Sequence, residues 1–351
     1  MNFPNTFDHI AAKGLYPRKD NVIFIGVTQG GERSYRIYGQ LPQHIKPISA
    51  VFEMGSVTKV FTTLLLADLV QQNIVSLDDP VTRFFPDYPS VTLRQLATHT
   101  SGLPREDKVL NKRVGFNREK HLNPYAYYTP EDLTAFLTGH TLKERKSGKW
   151  NYSNIGMALL ARVLEQVLGM PYTKAAEERV CRRLGMSDTV FELNEEQQDR
   201  RVEAFTKKGF PIPPLTIGGV LGAGGIHSTM GDMMRFVEWN MGLEGTDDDT
   251  KNWLHLSHQM HAKGPSKQLD QGLGWFIERS KRWEHPMIWT GGTTVGFHTY
   301  AGFIQETQTG VVVLSTYHLT MLEMIPVLFG RGPIVTRPLA DEVFASHGRL
   351  A

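Results

Sequence analysis

The chain has few of the features that tie a protein together covalently or anchor it. Among its 351 residues there is one cysteine, Cys181, so no internal disulfide is available and the redox compartment stays open. Cys181 lies in the apolar-periodic stretch Val180 to Leu184 and is expected to pack. No run is apolar for long enough to cross a bilayer, so no membrane span is expected. Met1-Asn2-Phe3-Pro4-Asn5 lacks the basic start and apolar core of a secretory leader. A soluble chain is therefore expected, cytoplasmic by default and extracytoplasmic if a leader was removed. Charge of one sign is lacking too: 38 Lys and Arg stand against 36 Asp and Glu, a net of +2, which argues against a nucleic-acid partner. Basic residues do gather at Lys108, Lys112, Arg113, Arg118 and Lys120, but acidic and apolar residues interleave, as in a solvated loop.

Several catalytic signatures are missing. There is no Gly-x-Ser-x-Gly elbow, no His-Glu-x-x-His, no paired Cys-x-x-Cys and no Walker loop. Gly222-Ala223-Gly224-Gly225 begins like a dinucleotide fingerprint, but His227 stands where the third glycine belongs. His255, His258 and His261 recur every three residues without an accompanying carboxylate motif, and read as a packed or solvated stripe. No metal and no cofactor are expected.

What is present starts with Ser56-Val57-Thr58-Lys59, the one Ser-x-x-Lys in the chain. Apolar residues follow at 60, 61, 64, 65 and 69, which predicts a helix with a buried face. Residues three apart share a helix side, so Lys59 can lie beside Ser56. A serine at a helix N-terminus also feels the positive end of the dipole. Ser-x-x-Lys arises by chance about once in a chain of this length, so its weight comes from its company. Tyr152-Ser153-Asn154, the one Tyr-x-Asn, follows a polar turn and precedes Ile155, Leu159, Leu160, Val163, Leu164 and Val167 at helical spacing, with Gly169 as a stop. It sits at a loop-to-helix junction, where Ser153 or Asn154 is also a natural cap. The Tyr152 hydroxyl is suited to relaying a proton and the Asn154 amide to binding a carbonyl. Third comes Trp289-Thr290-Gly291-Gly292, whose small residues let a strand edge approach a ligand and whose N–H groups are candidate oxyanion donors.

With these pieces in this order, the chain resembles the serine β-lactamase and penicillin-binding protein superfamily, class C-like branch, which includes the family VIII carboxylesterases. Leu77-Asp78-Asp79-Pro80, Leu96 to Pro104 and Ala223 to Phe236 match that pattern outside the catalytic motifs, and the likeness runs from about Val22 to about Ser315. The resemblance implies a mixed α/β (α+β) fold, an antiparallel sheet flanked by helices with an inserted helical lobe. It implies a catalytic set of Ser56, Lys59 and Tyr152, with Asn154, Trp289, Thr290, Gly291 and Gly292 binding substrate or oxyanion. Ser56 would be acylated by an ester, β-lactam or peptide, and water would release the product. Carboxylesterase activity is favoured; a D,D-peptidase acting on cell-wall peptides is the alternative, and a non-catalytic ligand-binding relative is the reading from another class. Two departures stand out. Trp289 replaces the cation of the usual third motif, and Thr293 to Phe297 is one residue longer than the usual turn.

Periodicity supplies the organisation. Val22 to Val27 and Tyr35 to Tyr38 predict a hairpin, Phe297 to Phe303 and Val311 to Ser315 a second strand pair. Residues 1–59 and 285–351 are expected to form the sheet-containing lobe and residues 60–284 a mostly helical one, with the active site between them. Helices are expected over Met321 to Leu328 and Leu339 to Ser346. Arg105 to Tyr128, polar with an aromatic tip, is the candidate lid or substrate-facing insertion.

Overall fold

Strands from the two ends of the chain form one sheet. In the computed structural model, which describes residues 6–15, 18, 20–142, 148–243, 248–319 and 334–347, β1 (Ile23–Gln29) pairs with β2 (Glu32–Tyr38) as a hairpin. The later strands β9 (Phe297–Ile304) and β10 (Thr309–Thr316) pair likewise. β1 then runs antiparallel to β10, from Ile23 opposite Ser315 to Gln29 opposite Thr309. Both strands are buried almost end to end, because helices cover both faces of the sheet. Ile23, Ile25 and Val27 point to one face and pack with the helices Thr6–Leu15 and Thr336–His347 through Phe7, Leu339 and Phe344. Phe24 points to the other and joins the larger core with Phe52, Phe61 and Phe236. The period of two in the strands therefore sorts their apolar residues between two cores.

The sheet extends further than expected. β5 (Ala262–Lys263), β6 (Leu269–Gln271), β7 (Phe276–Glu278) and β8 (Met287–Thr293) complete the eight-stranded order β2-β1-β10-β9-β8-β7-β6-β5. Residues 262–278 thus contribute strands to the sheet, although they fall inside the segment 60–284 that was expected to be mostly helical. A separate two-stranded sheet joins β3 (Val51–Glu53) to β4 (His227–Thr229) and anchors the chain just before Ser56. The expected helix at 339–346 lies within Thr336–His347; the one expected over 321–328 lies outside the described residues. Among the described residues, no helix is long and apolar enough to cross a membrane.

The helix Thr58–Gln71 differs from the expected one-faced helix. Every residue from Thr58 to Leu69 is buried. Its polar residues are accommodated by hydrogen bonds, as burial requires. Thr62 Oγ1 donates to the Gly222 carbonyl at 2.7 Å and Thr63 Oγ1 to the Leu273 carbonyl at 2.8 Å. Asp68 is paired with Arg179 at 2.7 Å.

Candidate active site

Ser56 sits in a single 3-10 turn, Gly55–Val57, that leads directly into the Thr58–Gln71 helix. The turn is pinned on both sides. Thr58 Oγ1 donates to the Gly55 carbonyl at 2.7 Å, and Thr299 Oγ1 on β9 donates to the Met54 carbonyl at 3.0 Å. Gly55 has φ of 52°, and a Cβ there would stand 2.8 Å from the Thr293 nitrogen, so only glycine lets β8 come this close. Gly292 repeats the point from the other side: its Cβ would fall 2.0 Å from the Met54 carbonyl oxygen.

Lys59 lies one helical turn on. Its Nζ donates to Ser56 Oγ at 3.0 Å and to the Ala223 carbonyl at 2.7 Å. The side chain is buried, and loss of hydration pushes its pKa below the usual lysine value; the Tyr152 hydroxyl opposes this shift and Arg105 adds to it. The Nζ stands 4.8 Å from the centroid of the Tyr152 ring. Thus Lys59 is in contact both with Ser56, one turn before it, and with Tyr152, far along the chain. The Gly222 to Gly225 run, which only begins like a dinucleotide fingerprint, supplies the carbonyls that hold Lys59 and Thr62.

Tyr152 is placed by the helix that follows it. Ser153 is the N-cap of Asn154–Leu168, its Oγ accepting from the Gly156 N–H at 2.8 Å, and Gly169 closes the helix in the left-handed conformation. His99 supports the tyrosine. Its ring lies 4.5 Å from that of Tyr152, and its Nδ1 accepts from the Ser153 N–H at 3.2 Å. Burial holds the His99 pKa down at about 3, with Lys59 and Arg105 contributing, so His99 is a neutral acceptor. His298 is likewise buried and structural, with Nε2 against the Tyr317 carbonyl at 3.1 Å.

Asn154 is held in a network that the sequence did not reveal. Its Nδ2 donates to Glu106 Oε1 at 2.6 Å and to the Tyr125 hydroxyl at 3.1 Å. The Tyr125 hydroxyl in turn donates to Glu106 Oε1 at 2.7 Å. Arg105 lies with its guanidinium 5.3 Å from the Tyr152 ring centroid. The segment from Arg105 to Tyr128, expected as a lid, is built of the short helices Lys108–Val114 and Arg118–His121 and a 3-10 turn, Pro124–Tyr127, and delivers Glu106 and Tyr125 to the site. Tyr125 belongs to the aromatic tip read from the sequence, whereas Glu106 was missed because an isolated Glu in a polar stretch carries no periodic signal.

Trp289 is placed differently from the expected substrate donor. Its indole N–H donates to Glu278 Oε2 at 3.0 Å. The ring stacks on Phe276 at 4.8 Å and on Tyr300 at 5.8 Å, with Arg337 over it at 4.7 Å. Side chains alternate along β8, so Thr290, buried, shares the strand face of Gly292, while Trp289 and Gly291 share the opposite one. Trp289 still borders the site indirectly. Phe276 continues to Trp150 at 6.2 Å and Trp150 to Tyr152 at 6.3 Å, an unbroken aromatic row. Of the histidine stripe, His258 is buried with Nε2 against Asn240 Oδ1 at 2.8 Å, and His261 bonds the Leu256 carbonyl at 2.8 Å, which accounts for both as packing residues.

Comparison with known proteins gives a consistent result. The beta-lactamase family model matches residues 18–322. The D-alanyl-D-alanine-carboxypeptidase/endopeptidase AmpH of Escherichia coli K12 is 30% identical over 83% of this chain and 78% of its own length. A beta-lactamase of Pseudomonas fluorescens is 24% identical over 86% of this chain and 90% of its own. Among solved structures, a class C beta lactamase from Rhodobacter sphaeroides superposes with a TM-score of 0.77 at 20% identity, covering 97% of this chain and 99% of that one. The shared fold is the β-lactamase one, with its antiparallel sheet flanked by helices.

Proposed function

This chain belongs to the beta-lactamase family of serine hydrolases, and from that premise we propose that it hydrolyses carboxylic esters through an acyl-Ser56 intermediate. The observation that carries the proposal is Lys59 Nζ at 3.0 Å from Ser56 Oγ, buried, with its pKa lowered by loss of hydration. Ser56 Oγ attacks the carbonyl carbon. Its proton passes to the Lys59–Tyr152 pair and from there to the leaving group. Water then attacks the acyl ester and the proton returns to Ser56. A free lysine is protonated near neutrality, and loss of hydration lowers the Lys59 pKa, which favours the neutral form that can accept the Ser56 proton. The N–H groups of Ser56 and Gly292 are the proposed oxyanion donors, at the junction where β8 meets the Met54 to Ser56 turn. In this reading the cleft lies between the end of β8 from Thr290 to Thr293, beyond its pairing with β7, and the helical part of the chain, with Thr290 and Gly292 on the face turned to the Ser56 turn.

Ester preference rests on the third motif. A cation there would pair with a substrate carboxylate, and charge-assisted bonds are the strong ones. Trp289 supplies no charge, and its row with Phe276 and Trp150 makes an aromatic wall. Arg337 is engaged with Glu278 at 2.9 Å and with Asp341 at 2.5 Å. A D,D-peptidase is the second reading, favoured by the similarity to the E. coli carboxypeptidase/endopeptidase. Parallel assays with nitrophenyl esters, a chromogenic cephalosporin and D-alanyl peptides separate the two, with intact-mass detection of the adduct. Esters should turn over fastest. The adduct should map to the peptide containing Ser56, and Ser56→Ala should abolish adduct and turnover together. Normal activity in Ser56→Ala sinks the mechanism; faster turnover of D-alanyl peptides sinks the ester preference alone.

A further inference from the structure

The network around Asn154 leaves two acceptors over. Asn154 is buried, and both its amide hydrogens are directed at acceptors, Glu106 Oε1 and the Tyr125 hydroxyl. A carboxylate only accepts, so this contact fixes which end of the amide is nitrogen. Asn154 Oδ1 is thereby presented as an acceptor, and among the described residues it receives no hydrogen bond. Glu106 is in the same position. Its Oε1 takes the Asn154 and Tyr125 donors, with Arg105 Nε 3.9 Å away, while its buried Oε2 receives none. Buried polar atoms without partners are rare and costly, and a pair of them on adjacent side chains calls for a donor. Both side chains neighbour the reaction centre: Asn154 stands two residues after Tyr152, whose ring centroid is 4.8 Å from Lys59 Nζ, and Glu106 follows Arg105, whose guanidinium is 5.3 Å from the same ring.

We infer that Asn154 Oδ1 and Glu106 Oε2 form a subsite for an amino group on the acyl part of the substrate, making α-aminoacyl esters or amides the preferred class. This inference rests on the acyl-Ser56 reading above and narrows its substrate. An amine brings two or three N–H donors on one nitrogen, which matches two acceptors left without donors on adjacent side chains. A carbonyl oxygen at the same place would meet only acceptors. The usual expectation, that the Asn154 amide donates to a substrate carbonyl, is therefore reversed here by Glu106.

The test compares alanyl nitrophenyl ester, in both enantiomers, with the isobutyryl ester, in which a methyl replaces the amine. Each kcat/KM is divided by the uncatalysed hydrolysis rate of the same ester. Wild type should favour the better alanyl enantiomer by about tenfold to a hundredfold, the range of a hydrogen bond to a charged group. Glu106→Gln keeps an oxygen for Tyr125 and Asn154 and puts an NH2 in place of Oε2. The preference should then fall about tenfold, and N-acetylalanyl ester should gain relative to alanyl. A wild-type ratio near one, or a ratio unchanged in Glu106→Gln, with Ser56 still acylated, overturns this inference alone. Absence of any Ser56 adduct with all the esters overturns the nucleophile assignment and this inference with it.

Discussion

An ammonium taken out of water is destabilised unless charge or hydrogen bonds replace its hydration, and at Lys59 the replacements are few: the Ala223 carbonyl, Ser56 Oγ and the Tyr152 hydroxyl. The direction of the shift sets the pH dependence. A lowered lysine pKa means that the neutral, proton-accepting form is populated at lower pH than in a free lysine, near 10.4. The rate of Ser56 acylation should therefore fall as pH drops through the lowered value. Lys59→Arg, whose guanidinium stays charged, should lose activity at every pH and so show no such limb; an unchanged acid limb in that variant argues against Lys59 as the titrating group. If Lys59 and Tyr152 form one relay, removing either should cost about 10²–10⁴ in rate. The double variant should lose far less than the product of the two. Multiplicative losses in that cycle would show two independent residues.

Among the elements, the turn before the Thr58–Gln71 helix is the most tightly specified. Gly55→Ala asks for a Cβ at positive φ and 2.8 Å from the β8 backbone. The cost should be about 1–3 kcal/mol of stability. Because β8 must move away to admit the methyl, acylation should fall by more than the stability loss explains. Urea unfolding and single-turnover acylation measured on the same variant separate the two. Wild-type acylation in a folded Gly55→Ala would mean the close approach of β8 is not needed. This turn shows what was legible in the sequence. Ser-x-x-Lys, Tyr-x-Asn and the glycines at 291 and 292 marked the candidate site, since each needs particular residue types at fixed spacing, and the hairpins announced themselves by alternation around polar turns. The strands at 262–278 did not, because two or three residues hold too little alternation to register. The meeting of Glu106 and Tyr125 with Asn154 did not, because it is made by the path of a loop. Trp289 was legible as a departure but not in its direction, which depends on its register opposite Phe276.

Across the whole molecule, the buried histidines link folding to pH. His99 and His258 have pKa values lowered to about 3, and His227 and His298 to about 4, in every case chiefly through loss of hydration. An unfolded histidine takes up a proton near 6.5. Below that pH the unfolded chain binds protons that the folded chain refuses, so stability falls as pH falls from about 6.5 towards 4 and is unaffected by these groups above it. One such group gives about 1.4 kcal/mol per pH unit in the middle of this window, so four give about 5.6 kcal/mol per pH unit. Glu53 and Asp232 act oppositely. Burial raises their carboxyl pKa values, so the folded chain takes up protons there first and part of the loss is offset. Even a partial effect is large against the about 5–15 kcal/mol that holds a typical domain together. The protein should therefore unfold cooperatively between about pH 5 and 4, well before simple carboxylate protonation requires it. His258→Gln keeps a polar group for Asn240 and cannot take up a proton. It should reduce the slope of unfolding free energy against pH by about one proton, even if it lowers stability at pH 7. Urea titrations at half-unit steps from pH 7 to 4 measure that slope directly. Equal slopes in wild type and His258→Gln would show that this ring is protonated in the folded state and does not drive the acid transition.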